Sequence, residues 1–238
     1  MPQYSSAYRR LDWPFFGHTR ACAGPFLRAF SATHHHALPM AASYFDSPKW
    51  QEPSRLLEPA LAKVRPWLLD DGSLTQHLID SGRSFSLERW QQRWEAPRLD
   101  EKRMLRMSLQ AGAIVRSVIL KLDQIPVVFA RSVFPTSSLT GPLLRLRKLE
   151  NQSLGALLFA RTDMRRSPFQ ITRLSGMSSY MPEHLHQCDS AWARRSCFMV
   201  AGKPLLVSEV FLEAFPAWNS RLPLHRSRRG LVNGTIGR

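Results

Sequence analysis

Apolar and polar positions change their spacing along the chain, and the change separates helices from strands. Leu56, Leu57, Ala60, Leu61 and Val64 recur at helical spacing until Pro66 interrupts them. Ser73-Leu74-Thr75-Gln76 has the form of a capping box, so a short helix is predicted from there to Ser81-Gly82. Phe85 to about Trp90 alternates as a strand, and Glu95 to Gln110 reads as a loop with a short helix. Ala113–Lys121 and Val127–Phe134, either side of Asp123-Gln124, predict a hairpin. A loop follows, then an amphipathic stretch over Leu143–Leu149 and a helix opening at Ser153-Leu154-Gly155. Phe169–Arg173 is a candidate strand, and Met177–Ser190 a polar insertion. Ala193–Val200 pairs across Gly202-Lys203-Pro204 with an apolar run ending at Leu212. Hairpins with helices gathered apart from them predict an α+β fold on a single antiparallel β-sheet.

Three charged residues break this pattern. Glu209 lies inside the last apolar run and points where Val207 and Phe211 point. Arg116 shares a face with Ile114, Val118 and Leu120; Arg131 shares one with Val127, Phe129 and Val133. A buried carboxylate is costly unless paired or bonded to a ligand, and a guanidinium keeps its proton and needs acceptors. An internal salt bridge, with Glu209 as one partner, satisfies these groups. So does a small, doubly anionic ligand.

The chain has 238 residues, and 44% hydrophobic composition suffices for a core. No apolar run approaches the roughly 20 residues of a membrane-spanning helix, so no stable membrane insertion is expected. Net charge is +15, mostly from arginines scattered along the chain. That charge alone would suit nucleic acid. The one basic cluster, Arg226-Ser227-Arg228-Arg229, lacks interleaved aromatics and reads as a solvated tail, so no nucleic-acid partner is expected. Cys22, Cys188 and Cys197 are odd in number and far apart, which argues against a disulfide framework and fits a cytoplasmic, reducing location. His34-His35-His36 and His184-x-His186 lack supporting ligands, so no metal is expected. Dinucleotide, phosphate-loop, zinc-protease and serine-hydrolase motifs are missing as well.

Three blocks in order resemble the chorismate lyase family. They are Arg131-Ser132-Val133-Phe134-Pro135 leading to Leu139-Thr140-Gly141-Pro142, then Leu154-Gly155 with Leu157-Leu158-Phe159, then Ala193-Arg194-Arg195-Ser196 followed by Gly202 to Leu212. The resemblance spans roughly Leu56 to Phe215. It implies helical flaps closing over a buried ligand pocket and a chorismate pyruvate-lyase, a carbon–oxygen lyase making 4-hydroxybenzoate for ubiquinone without a cofactor. By the same resemblance Arg116 and Glu209 are catalytic. Arg116 would clamp the ring carboxylate and Glu209 would meet the para oxygen. Leu74 and Leu154 would contribute backbone N–H groups, and Arg131 would meet the second carboxylate. Leu74 stands where Met is usual, and the region around 175–190 is longer than the family pattern.

The expected layout is a poorly ordered extension over 1–50, the lyase-like domain over 51–218 and a basic tail over 219–238. Met40 is a candidate for the true start. The expected form is a monomer. A non-catalytic ligand-sensing domain of the same fold, as found on bacterial transcription regulators, is the alternative, although residues 1–50 show no winged-helix pattern.

Overall fold

The computed structural model describes residues 47–56 and 61–215. Residues 1–46 of the extension and the whole tail, with Met40, Cys22 and the His34–His36 tract, lie outside them, whereas residues 47–50 lie within and Trp50 packs edge-on to Tyr180. Seven strands form one antiparallel sheet: β1 (Phe85–Glu95), β2 (Ala113–Leu122), β3 (Ile125–Pro135), β4 (Arg165–Arg166), β5 (Gln170–Leu174), β6 (Ala191–Val200) and β7 (Lys203–Phe211). The spatial order is β1-β2-β3-β7-β6-β4, with β5 also paired to β6. The fold is therefore α+β, as the hairpin pattern predicts.

Among the described residues four short α-helices accompany the sheet: α1 (Leu61–Leu69), α2 (Leu74–Asp80), α3 (Leu99–Met104) and α4 (Leu154–Phe159). One face of the sheet, here the front, packs Val118, Leu120 and Phe211 under Leu61, Trp67, Leu68 and Leu78 of α1 and α2. Farther along it, Ile114, Phe134 and Phe198 pack under Leu154 and Leu158 of α4 and under Leu143 and Leu146. The amphipathic stretch carrying those two leucines is a 3-10 helix, Gly141–Lys148. The back face packs Ile119, Phe129 and Val210 under Tyr180, Met181 and Leu185. The supposedly polar insertion thus contributes a satellite core.

Pro66 does not end the first helix, contrary to the sequence pattern; α1 runs through it to Leu69. A proline inside a helix costs about 3 kcal/mol. Burial of Leu61, Val64, Trp67 and Leu68 on one face offsets that. β1 also extends beyond Trp90 to Glu95, through a bulge between Arg89 and Gln91. Such a bulge spoils strict alternation, which hides the second half of the strand from a periodicity reading.

Cys197 is a free thiol, and burial pushes its pKa up. The His184 ring lies tilted by 45° against Trp90, with ring centres 4.3 Å apart, and the His186 Nε2 lies 3.3 Å from the Ser178 carbonyl.

Candidate active site on the front of the sheet

Cross-strand register decides which side chains meet. Arg116 on β2 lies opposite Ser132 on β3, and Ala130 on β3 lies opposite Glu209 on β7. Cross-strand partners share a face, so Arg116 and Glu209 are both on the front. They sit two strands apart and two residues out of line, about 12 Å between Cα atoms at ordinary strand spacing. Their side chains line one cavity with Leu74, Leu154, Val118 and Arg166.

Arg116 is 1% exposed. Its Nη2 donates to the carbonyls of Glu150 and Gln152, both at 2.8 Å, and its Nε has no partner. No carboxylate pairs with it among the described residues. Burial, with the nearby charge of Arg89, pulls its pKa down to about 10. It therefore stays charged at neutral pH and is poorly compensated, the condition in which a guanidinium binds an anion.

Glu209 has a structural partner. Arg194 on β6, directly opposite it in register, donates from Nε to its Oε2 at 2.6 Å. Arg194 Nη1 also reaches the carbonyls of Trp67 and Asp70, each at 2.8 Å, which ties the end of α1 to the sheet. Asp70 in turn bonds Nε2 of His77 at 2.7 Å. The other sides of the cavity are closed by the first turns of α2 and α4. The hydroxyls of Ser73 and Ser153 cap these helices by accepting from the Gln76 and Ala156 N–H groups, and Ser153 bonds Thr75 at 3.3 Å. Only half of the expected capping box forms, because the Gln76 side chain donates to Asp80. First-turn N–H groups such as those of Leu74 and Leu154 lack intrahelical acceptors. The cavity measures only ≈ 50 Å³. An apolar cavity that takes benzene measures about 150 Å³.

Arg131 does not join this group. It pairs with Ser117 on β2 and Ser208 on β7, which places it on the back. There Glu101 of α3, fully buried, accepts from its Nε at 2.7 Å and from its Nη2 at 3.1 Å, and Glu95 lies 3.1 Å from Nη1. The expectation that Arg131 meets the ligand of Arg116 and Glu209 is corrected on this geometry. The cause is a bulge in the β2–β3 hairpin. Leu122 pairs with Ile125 and Lys121 with Pro126, but Leu120 pairs with Val128, so one residue is skipped. Without the skip Arg116 would lie opposite Arg131; with it, the two arginines fall on opposite faces.

Sequence reasoning also missed Arg194 and Arg166. Arg194 was legible: counting back from the Ala201-Gly202 turn places it opposite Glu209. Arg166 sits on a two-residue strand, too short to leave a periodicity.

A family model described as chorismate lyase matches residues 45–221. A probable chorismate pyruvate-lyase of Idiomarina loihiensis is 36% identical over 188 residues, covering 75% of this chain and 91% of its own. Another from Aromatoleum aromaticum is 37% identical over 161 residues, covering 63% of this chain and 85% of its own. Among solved structures, the effector domain of PhnF from Mycobacterium smegmatis overlays with a TM-score of 0.45 at 14% identity, over 61% of this chain and 91% of that one. The chain belongs to the chorismate lyase family.

Proposed function

We propose that the protein is a chorismate pyruvate-lyase, releasing pyruvate from chorismate to leave 4-hydroxybenzoate for ubiquinone synthesis. The observation that carries this reading is the buried Arg116 guanidinium, without a carboxylate partner among the described residues, lining the same cavity as Glu209. Chorismate has a ring carboxylate at one end and, at the other, a hydroxyl beside an enolpyruvyl ether. Arg116 takes the ring carboxylate and Glu209 the hydroxyl end.

In the elimination the ring C–O bond breaks and its electron pair goes to the enolpyruvyl oxygen. The neighbouring ring proton leaves, the ring becomes aromatic, and one proton is taken up at the enolpyruvyl methylene to give pyruvate. Atoms and electrons balance without an external oxidant or reductant. The protein's part is to hold one conformer out of water and to move a proton. Glu209 is the group placed to do so, with Arg194 fixing its orientation.

A cavity of ≈ 50 Å³ admits such a ring only when its cover moves. The segments around Leu74 and Leu154 are proposed as flaps whose N–H groups meet the ligand. The proposal includes a monomeric, cytoplasmic enzyme; among the described residues no helix is long and apolar enough to cross a membrane. Purified protein mixed with chorismate should produce 4-hydroxybenzoate absorbance and an equal amount of pyruvate. Chorismate that binds and returns unchanged would instead identify a sensor.

A further inference from the structure

Taken in strand order, the front of the sheet carries Arg116 on β2, Glu209 on β7, Arg194 on β6 and, four residues farther along β6 in register, Arg166 on β4. Arg194 answers Glu209. The outer two, Arg116 and Arg166, both line the cavity. The site therefore carries two guanidinium groups with no carboxylate bonded directly to them among the described residues, with the acid on a strand between them.

Arg166 is held in place by neutral groups. Its Nε donates to the buried Ser196 hydroxyl at 2.7 Å, and its Nη1 contacts the Asp71 carbonyl at 3.3 Å. Its guanidinium carbon lies 4.1 Å from the Phe169 ring centre and 4.7 Å from that of Phe198. Among the described residues Nη2 makes no hydrogen bond. Burial, with the adjacent Arg194, brings the Arg166 pKa down to about 9 against the opposing charges of Glu209, Asp70 and Asp71. A guanidinium so placed is pre-organised for a carboxylate at little further cost in side-chain entropy.

We propose that Arg166 is the subsite for the second carboxylate of a dianionic ligand, the role that sequence resemblance suggested for Arg131. The assignment rests on the chorismate reading and deepens it. The order Arg116, Glu209, Arg166 matches the order of ring carboxylate, hydroxyl-and-ether end and enolpyruvyl carboxylate along chorismate. Product lacks the second carboxylate, so Arg166 separates substrate from product while Arg116 holds both.

Calorimetry on the full chain with two inert probes tests this: 4-hydroxybenzoate, and its dianionic relative 3-(carboxymethoxy)-4-hydroxybenzoate. Arg166→Met should weaken the dianion by about 30-fold, the scale of a lost charge-assisted hydrogen bond. It should leave 4-hydroxybenzoate within about threefold, and Arg166→Lys should recover part of the loss. Equal losses for both probes would make Arg166 a support for Glu209 or for the fold and overturn the subsite; so would no loss for either. If Arg166→Met does not fold, Arg166→Lys and Arg166→Gln carry the same comparison. Wild-type protein that leaves chorismate unconverted would overturn the lyase reading, whereas the subsite stands or falls on the probe ratio alone.

Discussion

Arg131 and Glu101 grip each other through two hydrogen bonds, Nε to Oε1 at 2.7 Å and Nη2 to Oε2 at 3.1 Å, on the side of the sheet away from the cavity. Burial alone would lower the Arg131 pKa, but the bond to Glu101 and its charge more than reverse this, so the pKa rises. The pair anchors α3 to the sheet. Breaking one partner of a buried ion pair costs about 3–5 kcal/mol. Arg131→Leu is expected to lower the unfolding free energy by that amount in urea. Whatever protein remains folded should bind the dianionic 3-(carboxymethoxy)-4-hydroxybenzoate as wild type does. A selective loss of ligand affinity with normal stability would return Arg131 to the site.

Arg116→Ala removes the proposed clamp on the ring carboxylate. Leaving a buried ligand carboxylate unpaired costs about 3 kcal/mol, or roughly a hundredfold in affinity. Calorimetry with 4-hydroxybenzoate should show that loss. Unchanged affinity would mean that the ring carboxylate lies elsewhere.

Glu209→Gln keeps the shape and one acceptor for Arg194 but removes the proton-transfer group. A fall in kcat of about 10²–10³ is expected for loss of general acid–base assistance, with 4-hydroxybenzoate affinity changing far less. Full turnover in that variant would leave positioning by the arginines as the source of rate.

Asp70 gives the pH dependence a sign. Burial alone would raise its pKa; the hydrogen bond and charge of His77, with the charge of Arg194, together bring it below the ordinary 3.8. A folded-state pKa below the unfolded one contributes stability that is present above the unfolded value and is lost as pH falls through the folded one. Melting temperatures should therefore decline as pH drops below about 4, and Asp70→Asn should flatten part of that decline. An identical acid limb in the two proteins would remove Asp70 as a contributor.

The sheet was legible because Ala113–Leu122, Ile125–Pro135 and Lys203–Phe211 carry sustained apolar runs bounded by turns. Arg116 and Glu209 were legible for the same reason, as charges inside those runs, and both lie on the front face. The side chosen by Arg131 was not legible. It depends on one extra residue near Val127, where Val, Ile and Pro offer no bulge signature. Arg166 escaped because its strand is set by pairing with β6 rather than by its own sequence. The end of α1 escaped because packing overrode Pro66.

Arg194 holds the Glu209 carboxylate with one nitrogen and the Trp67 and Asp70 carbonyls with another. The proposed flap and the proposed acid therefore share a single pin. On that proposal, an outward swing of the turn after Asp70 to admit a molecule would also loosen the grip that aims the carboxylate, so the door would not stand open while the acid is held in place.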